Sequence, residues 1–174
     1  MSMSAPPDVT LRPATEADIP DLERWDREPH VLACMGKEAE EGPSDWRDEL
    51  AFYAQCGEVL IAELDGQSIG VLQIIDPHRD PSQYWGGMEA GYRAIDIWIG
   101  EADRLGQGHG TAMMRQALAR CFAAAEVKAV LIDPLESNDD AIRFYRRMGF
   151  REVGPRRFDE DDCLVLRFDR ADFG

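Results

Sequence analysis

The chain carries an aspartate in the middle of an apolar run, residues 94–99, which has the length and the β-branched and aromatic composition of a buried strand. An unpaired carboxylate inside such a strand costs free energy, so Asp96 is difficult to explain as a packing residue. Asp133 directly follows a second apolar run, residues 129–132, where it could also be a simple turn residue. Two such carboxylates could bind a protonated amine and take its proton.

The segment between residues 105 and 111 is rich in glycine and leads into a strong helix former, residues 112–119. Alternate glycines let a ligand approach the backbone closely, and the unpaired N–H groups of a helix N-terminus attract anions. A P-loop is excluded because the turn has no lysine, and the dinucleotide fingerprint is excluded because its last glycine is missing. We therefore predict an anion-binding loop, unless the glycines only cap the helix and connect it to the strand. Its residues are Leu105, Gly106, Gln107, Gly108, His109, Gly110 and Thr111.

Composition limits the classes of function that the chain can have. With 174 residues and 44% hydrophobic content, it has the size of one domain with one core. Its 34 acidic and 19 basic residues give a formal net charge of −15, which argues against binding to nucleic acid or to an anionic membrane. The same charge favours cationic small molecules or peptides as partners, although it also serves solubility.

The four cysteines and three histidines form no metal or disulfide pattern. The cysteines are scattered and no Cys-x-x-Cys or His-x-x-x-His spacing occurs, so neither zinc nor a disulfide framework is predicted. Residues 1–8 lack the basic and apolar regions of a signal peptide, and no run approaches the length of a membrane span. We therefore expect a cytoplasmic protein with reduced thiols, either a monomer or a homodimer.

The N-terminal third is predicted to contain one strand and two helices. Residues 9–12 alternate in polarity and end at a proline, which is typical of an edge strand. A capped helix start at Thr15 precedes apolar residues at helical spacing. Residues 30–42 show no clear period and are predicted to be a loop, after which Ser44 is expected to cap a helix over residues 45–55.

A β-hairpin is predicted over residues 59–75, because an Asp-Gly pair supplies the positive φ angles of its turn. Gln73 is polar within the second strand, so it faces either a ligand or a solvated sheet surface. Residues 76–91 form a segment too long for a simple connection in a compact domain, which makes it a candidate wall of a substrate site. The candidate wall residues within it are Trp85 and Glu89.

The C-terminal part is predicted to contain a strand, a helix and two further strands. The short buried strand covers residues 129–132. A helix then opens around Asn138 and ends at Gly149, a residue type favoured just after a helix. Residues 151–153 and 163–168 are predicted to close the sheet.

Residues 105–110 resemble the pyrophosphate loop of the coenzyme A-dependent N-acetyltransferases of the GNAT superfamily, written Gln/Arg-x-x-Gly-x-Gly/Ala, with Leu105 replacing the usual first residue. The superfamily's second signature is similar to the string Asn138-x-x-Ala141-x-x-x-Tyr145-x-x-x-Gly149-Phe150. The two signatures imply an α/β protein with the GNAT fold, a single domain over residues 1–174. In this fold a mixed, mostly antiparallel sheet lies between flanking helices.

The resemblance also implies roles for individual residues. Acetyl-CoA would be the cofactor, with its pantetheine arm in a gap between the strands that carry Asp96 and Asp133. Asp96 would accept the proton of the attacking amine, and Tyr145 would protonate the departing thiolate, unless it is only a packing residue. Asn138 would meet the pantetheine arm. The other implied cofactor contacts are Ile97, Trp98, Ile99 and Ala141.

Within the superfamily, the sequence most resembles aminoglycoside 6′-N-acetyltransferases, through Gln73, the strings ending at Asp96 and Asp133, and the glycine-rich loop. This resemblance implies acetylation of the 6′-amine of an aminoglycoside, which confers resistance, with Asp96 and Asp133 holding the amines. One departure is Cys34-Met35, which stands where the family has a tryptophan pair. Other amine acceptors stay open, namely a siderophore hydroxylamine, a polyamine or a protein N-terminus, and so does a non-catalytic CoA-binding module.

Overall fold

Seven strands form one mixed sheet in the order β1-β2-β3-β4-β5-β7-β6 in the computed structural model, which describes residues 8–174. The strands are β1 (Val9–Pro13), β2 (Gly57–Leu64), β3 (Gln67–Ile75), β4 (Tyr92–Ile99), β5 (Ala129–Ile132), β6 (Arg151–Phe158) and β7 (Asp161–Asp169). The helices are α1 (Ile19–Trp25), α2 (Pro29–Leu32), α3 (Trp46–Cys56), α4 (His109–Phe122) and α5 (Asp139–Met148).

The sheet opens between its two central strands. All neighbouring strands pair antiparallel except β4 and β5, which run parallel and pair only at Tyr92↔Ala129, Arg93↔Val130 and Ala94↔Leu131. Beyond Ala94, β4 continues alongside β3, but no strand of the described part of the chain pairs with its other side. The predicted gap between these two strands is therefore present, and it lies at their carboxyl ends.

Helices cover both faces of the sheet. α4 and α5 pack on one face over the largest apolar cluster, to which Met113 and Tyr145 contribute. α1 and α3 pack on the opposite face over a second cluster that contains Trp25 and Trp46. A third cluster lies beneath the segment 76–91. Neighbouring residues of β4 point to opposite faces, so the strand that carries Asp96 contributes to both layers.

The N-terminal third agrees with the predictions for β1 and the first helix and corrects two details. Residues 30–42 are not a plain loop, because they contain the end of α2 and a 3₁₀ helix, Gly36–Glu40. The cap of α3 is Asp45 rather than Ser44, since the Asp45 carboxylate accepts hydrogen bonds from the backbone N–H groups of Arg47 and Asp48. An N-cap of this kind stabilises a helix by about 1 kcal/mol.

The predicted hairpin is confirmed, with Asp65 and Gly66 at φ 52° and 77° in its turn. The last two strands pair as predicted, but β6 extends to Phe158 although Pro155 lies within it. Proline is tolerated there because β6 is the edge strand of the sheet and its outer N–H groups need no partner.

Membrane spans and metal sites can be assessed for residues 8–174. Within this range, none of the helices combines the length and the apolar character that crossing a bilayer requires. Within the same range, no three His, Cys, Asp or Glu side chains gather into a possible metal site. The N-terminal residues 1–7, for which no signal peptide is expected, lie outside the described range.

Candidate active site

The gap between β4 and β5 brings the two predicted aspartates to one place. Asp96 lies two residues beyond Ala94, and Asp133 lies two residues beyond Leu131, and Ala94 and Leu131 form the last parallel pair. Alternate residues of a strand share a face, so both carboxylates point to the side of the sheet on which α1 and α3 pack. The opening of the sheet thus becomes a cleft with an acid on each rim.

Asp96 is exposed to this cleft, which corrects the expectation that it is a buried strand residue. Solvent reaches the residue, yet the protein around the carboxylate disfavours its charged form, and this desolvation raises the pKa of Asp96 to about 8. Asp133, Glu38 and Glu49 raise the pKa further through their negative charge. The carboxylate accepts no hydrogen bond from any residue between 8 and 174 and is therefore free for a ligand.

Gln73 lies directly opposite Asp96 on β3. Its side chain is only 8% exposed, which excludes the solvated sheet surface considered above. Cross-strand neighbours have Cβ atoms about 5 Å apart, so the Gln73 amide lies beside the Asp96 carboxylate. The amide has no hydrogen-bond partner among the described residues. The amide atoms keep some contact with solvent, so a ligand in the cleft could bind them.

Asp133 is held by a residue that the sequence pattern did not identify. The Tyr84 hydroxyl donates a hydrogen bond of 2.7 Å to Asp133 Oδ2, and the Tyr84 ring stacks on Phe158 at 4.6 Å and 8°. Burial raises the pKa of Asp133 to about 6, while the hydrogen bond from Tyr84 and the charge of Arg156 lower it. Tyr84 therefore fixes the position of this acid and partly stabilises its charged form.

Further acids on the helical side make the cleft strongly anionic. Glu38 follows α2, and Glu49 lies on α3 four residues before Tyr53, so Glu49 and Tyr53 share a helix face. Burial and neighbouring acids raise the pKa of both glutamates, and burial followed by the charge of Asp96 raises the pKa of Tyr53. The helical spacing of Glu49 and Tyr53 was a usable signal in the sequence. Glu38 gave none, because it lies in an irregular segment.

Tyr145 reaches the same cleft from the opposite side of the sheet. Its ring belongs to the main core and the residue is 7% exposed, but its hydroxyl has no hydrogen-bond partner in the described part of the chain. Burial raises the pKa of Tyr145, and the charges of Asp96, Cys34 and Asp133 act in the same direction. Tyr145 is therefore a neutral phenol at physiological pH, and it can donate a proton or a hydrogen bond.

The glycine-rich loop has the geometry of an anion site. Gly108 is the N-cap of α4 with φ 84°, and Gly106 has φ 69°, both in the left-handed region that favours glycine. A Cβ atom on Gly106 would have no heavy atom within 4 Å, so the loop is open on that side. The first N–H groups of α4, which have no partner inside the helix, start at this opening.

The side chains of the loop contribute less than its backbone. His109 is 5% exposed, and both ring nitrogens are buried without a partner among residues 8–174, so only the backbone of His109 is available to a ligand. The Gln107 amide donates a hydrogen bond of 2.6 Å to the Asp103 carbonyl, which keeps the side chain within the loop. Leu105 is exposed beside them, and Gly110 and Thr111 lie in the first turn of α4.

The backbone of β4 is free where the sheet opens. The Gly100 N–H donates to the Ile69 carbonyl, and hydrogen-bonded pairs alternate along an antiparallel ladder. Trp98 therefore bonds to β3, whereas the N–H and C=O groups of Ile97 point into the gap. Ile99 also faces the gap, but its carbonyl contacts His30 Nε2 at 2.8 Å. Of the three predicted backbone contacts, Ile97 is thus the most available, and Trp98 turns its backbone away.

Asn138 is the N-cap of α5, and both ends of its side chain are engaged. Its Oδ1 accepts a hydrogen bond of 3.2 Å from the Ala141 N–H, and its Nδ2 donates to Cys34 Sγ at 3.5 Å. A pantetheine arm at this point would meet the amide from the side of the thiol. Cys34 was not among the predicted site residues, although its place in the sequence was noted as unusual.

Two predicted wall residues lie outside the cleft. Trp85 is 5% exposed because it packs against Phe158 in the third apolar cluster, and its neighbour Tyr84 is the residue that faces the cleft. Glu89 is exposed and pairs with Lys128 at 3.2 Å, beside the first residue of β5. Asp133 lies at the other end of β5, about 16 Å away at the usual rise of a strand. Trp85 and Glu89 thus lie away from the two aspartates, and their role as wall residues stays a prediction.

These features fit acetyl-CoA. The open glycine loop at the start of α4 suits a pyrophosphate, and the free backbone of Ile97 suits the amides of a pantetheine arm in the gap. Asp96 lies where the gap opens, and Asn138, beside Cys34, begins the helix that carries Tyr145, so the end of such an arm would meet these residues. The arrangement can perform acyl transfer to an amine.

The protein family described as acetyltransferase (GNAT) domain matches residues 14–158. The chain belongs to this family, and the recognition made from the two signatures is confirmed. Among its relatives, the aminoglycoside N(6′)-acetyltransferase type 1 of Klebsiella pneumoniae is 32% identical over 151 residues, which are 84% of this chain and 75% of that protein. The enzyme of the same description from Serratia marcescens gives the same values.

Solved structures of a similar protein confirm the predicted fold. AAC(6′)-Ib in complex with ribostamycin and coenzyme A is 30% identical and superposes with a TM-score of 0.86, over 95% of each chain. The structure of this protein with coenzyme A and kanamycin gives a TM-score of 0.83 at 28% identity, over 95% of this chain and 97% of the other.

Proposed function

We propose that the protein is an acetyl-CoA-dependent N-acetyltransferase that acetylates the 6′-amine of aminoglycosides and thereby confers resistance to them. The observation that carries this proposal is the Asp96 carboxylate, which has a raised pKa, accepts no hydrogen bond from the described residues and lies opposite the Gln73 amide on β3. The similarity to aminoglycoside N(6′)-acetyltransferases over most of the chain supports the choice of acceptor.

The anionic cleft supports a polycationic acceptor. Asp133, Glu38 and Glu49 all raise the pKa of Asp96 through their negative charge, so a ligand with several ammonium groups would relieve this repulsion. A monoamine could neutralise only one of them. An aminoglycoside carries several amines on a rigid frame, and it therefore suits this arrangement better than a protein N-terminus does.

The chemistry follows from the residues around the gap. Acetyl-CoA supplies an acetyl group activated as a thioester. Asp96 binds the acceptor ammonium and takes its proton, so that the neutral amine can attack. The backbone N–H of Ile97 polarises the carbonyl oxygen. Tyr145 donates a proton to the departing sulfur, and Asp133, held by Tyr84, retains a second ammonium group of the acceptor.

The experiment measures thiol release from acetyl-CoA with kanamycin, tobramycin and neomycin, alongside spermidine, a hydroxylamine and a peptide with a free N-terminus. We expect turnover with the aminoglycosides, and nuclear magnetic resonance of the product should place the acetyl group on the 6′-nitrogen. The Asp96→Asn variant serves as the control with strongly lowered activity. If a polyamine, a hydroxylamine or a peptide is acetylated and no aminoglycoside is, the proposed acceptor is wrong.

We also propose that residues 1–174 act as one domain in the cytoplasm. The four cysteines are all free thiols, which is the usual state in a reducing compartment. Fractionation of cells that express the untagged chain should find it with the soluble enzymes of the cytoplasm. Its appearance in a periplasmic or secreted fraction would contradict the proposal.

A further inference from the structure

Cys34 places a thiol at the junction of the cofactor and acceptor sides of the cleft. It is exposed, whereas Cys56, Cys121 and Cys163 are buried. Its sulfur lies 3.5 Å from Asn138 Nδ2, at the start of α5, and 3.4 Å from the His30 carbonyl. The thiol therefore sits in a fixed position rather than on a free surface loop.

Tyr145 gives independent evidence that this space takes a ligand. Only 7% of its surface is exposed, yet its hydroxyl has no hydrogen-bond partner among residues 8–174. Tyr145 and Asn138 are seven residues apart, two turns of α5, so they share a helix face. Asn138, on that face, also holds the Cys34 sulfur at 3.5 Å. The thiol and the phenol thus open onto one space.

We propose that Cys34 is a modification site at which the protein forms a mixed disulfide with coenzyme A. The proposal rests on the proposed function only in that coenzyme A binds in the gap between β4 and β5. The reaction is thiol–disulfide exchange with a disulfide of coenzyme A. The Cys34 thiolate attacks one sulfur, the old S–S bond breaks, and coenzyme A leaves as a thiolate that takes up a proton.

The surroundings of Cys34 explain why the cofactor, rather than any disulfide, should be the partner. Burial raises the pKa of the Cys34 thiol, and the hydrogen bond from Asn138 offsets this only in part. Few thiolates therefore exist at neutral pH, and encounters with dissolved disulfides are slow. A disulfide that is anchored by its pyrophosphate at Gly106 and Gly108 stays beside the thiol, which raises its effective concentration.

The test incubates the protein separately with the symmetrical disulfide of coenzyme A and with oxidised glutathione, and follows intact mass with time. We expect one coenzyme A adduct per chain, on Cys34 by peptide mapping, formed at least ~10-fold faster than the glutathione adduct because of anchoring. Acetyl-CoA should slow the coenzyme A reaction, and a reductant should reverse it.

Two variants separate anchoring from simple exposure. Cys34→Ser should form no adduct with either disulfide. Gly108→Asp should slow the reaction with the coenzyme A disulfide and leave the reaction with glutathione unchanged, because only the former uses the loop. Equal rates with both disulfides in the parent protein, or an adduct on another cysteine, would overturn the proposal. An anchored adduct in a protein that acetylates no aminoglycoside would leave this site standing and remove only the proposed acceptor.

Discussion

Asp96 combines access to solvent with a pKa far above the ordinary aspartate value of about 3.9. A base works best when its pKa lies near the working pH, so this environment suits proton transfer from an ammonium group. We expect Asp96→Asn to lower kcat by ~10²-fold or more, because an amide cannot accept the proton. Steady-state kinetics with a saturating aminoglycoside measures the change. Retention of near-normal kcat in this variant would remove Asp96 from the mechanism.

The same residue should govern the pH profile. The reactive form is the carboxylate, so activity falls as the pH drops through the pKa of Asp96 in the folded protein. Because that pKa is raised to about 8 in the free protein, the acidic limb of kcat/KM should lie near neutral pH rather than near pH 4. In Asp96→Asn the residual activity should lose this limb. A limb that persists there belongs to another group.

Tyr84 is expected to act on acceptor binding. Tyr84→Phe removes the hydroxyl that donates to Asp133 but keeps the ring stacked on Phe158. The loss of one partly exposed hydrogen bond of about 1 kcal/mol corresponds to a roughly five-fold increase in the acceptor KM, with kcat little changed. The matched control is Tyr92→Phe, whose ring lies outside the cleft beside Lys128 and Arg167. An equal effect of both variants would contradict the assignment.

At the scale of elements, the loop before α4 should bind the cofactor through its backbone and its electric field. Gly108→Asp places a negative charge at the helix N-terminus where the pyrophosphate is expected. Gly108→Asn has the same shape without the charge, and asparagine tolerates a positive φ better than most residues do. We expect calorimetry to show weaker coenzyme A binding for both variants, and clearly the weakest for Gly108→Asp. Equal losses of coenzyme A affinity in the two variants would mean that the added bulk weakens binding and the charge does not.

The local sequence pattern predicted the secondary structure around the site well, but it predicted the contacts between distant residues poorly. The Asp-Gly turn, the glycine-rich loop and the helix from Asn138 to Gly149 are encoded by neighbours in the sequence, and all three are present. The hydrogen bonds from Tyr84 to Asp133 and from Asn138 to Cys34 join residues 49 and 104 positions apart. No spacing rule reaches so far, so the sequence pattern did not identify Tyr84 as the partner of Asp133.

At the scale of the whole molecule, the net charge of −15 surrounds a cleft that is itself anionic. Such a field attracts cations and is screened by salt, with a Debye length of about 8 Å at physiological ionic strength. The acceptor KM should therefore rise with salt at constant kcat, more steeply for neomycin than for a substrate with fewer amines. If salt changed the KM of neither substrate, the electrostatic attraction would be limited to the residues that contact the acceptor.

The whole-molecule prediction succeeded where two signatures agreed. The separation of the glycine-rich loop from the Asn138 helix identified the family, and the family implied the gap between β4 and β5. Composition alone argued against nucleic acid and anionic membranes as partners, but it could not identify the acceptor of the acetyl group. That choice depends on side chains from α2, α3 and the segment 76–91, which meet only in the folded chain.

The three parallel pairs between β4 and β5 also make the sheet two half-sheets joined along a short seam. A pantetheine arm in the gap would act as a partial strand and continue the ladder beyond Ala94. The backbone amide of Ile97 should therefore exchange with deuterium quickly in the free protein and at least ~10-fold more slowly with coenzyme A bound. Amides in the middle of β2, such as that of Ile61, should not respond. A bound cofactor would then hold the two half-sheets together along the gap. Each release of the product coenzyme A would leave them joined by the three parallel pairs alone.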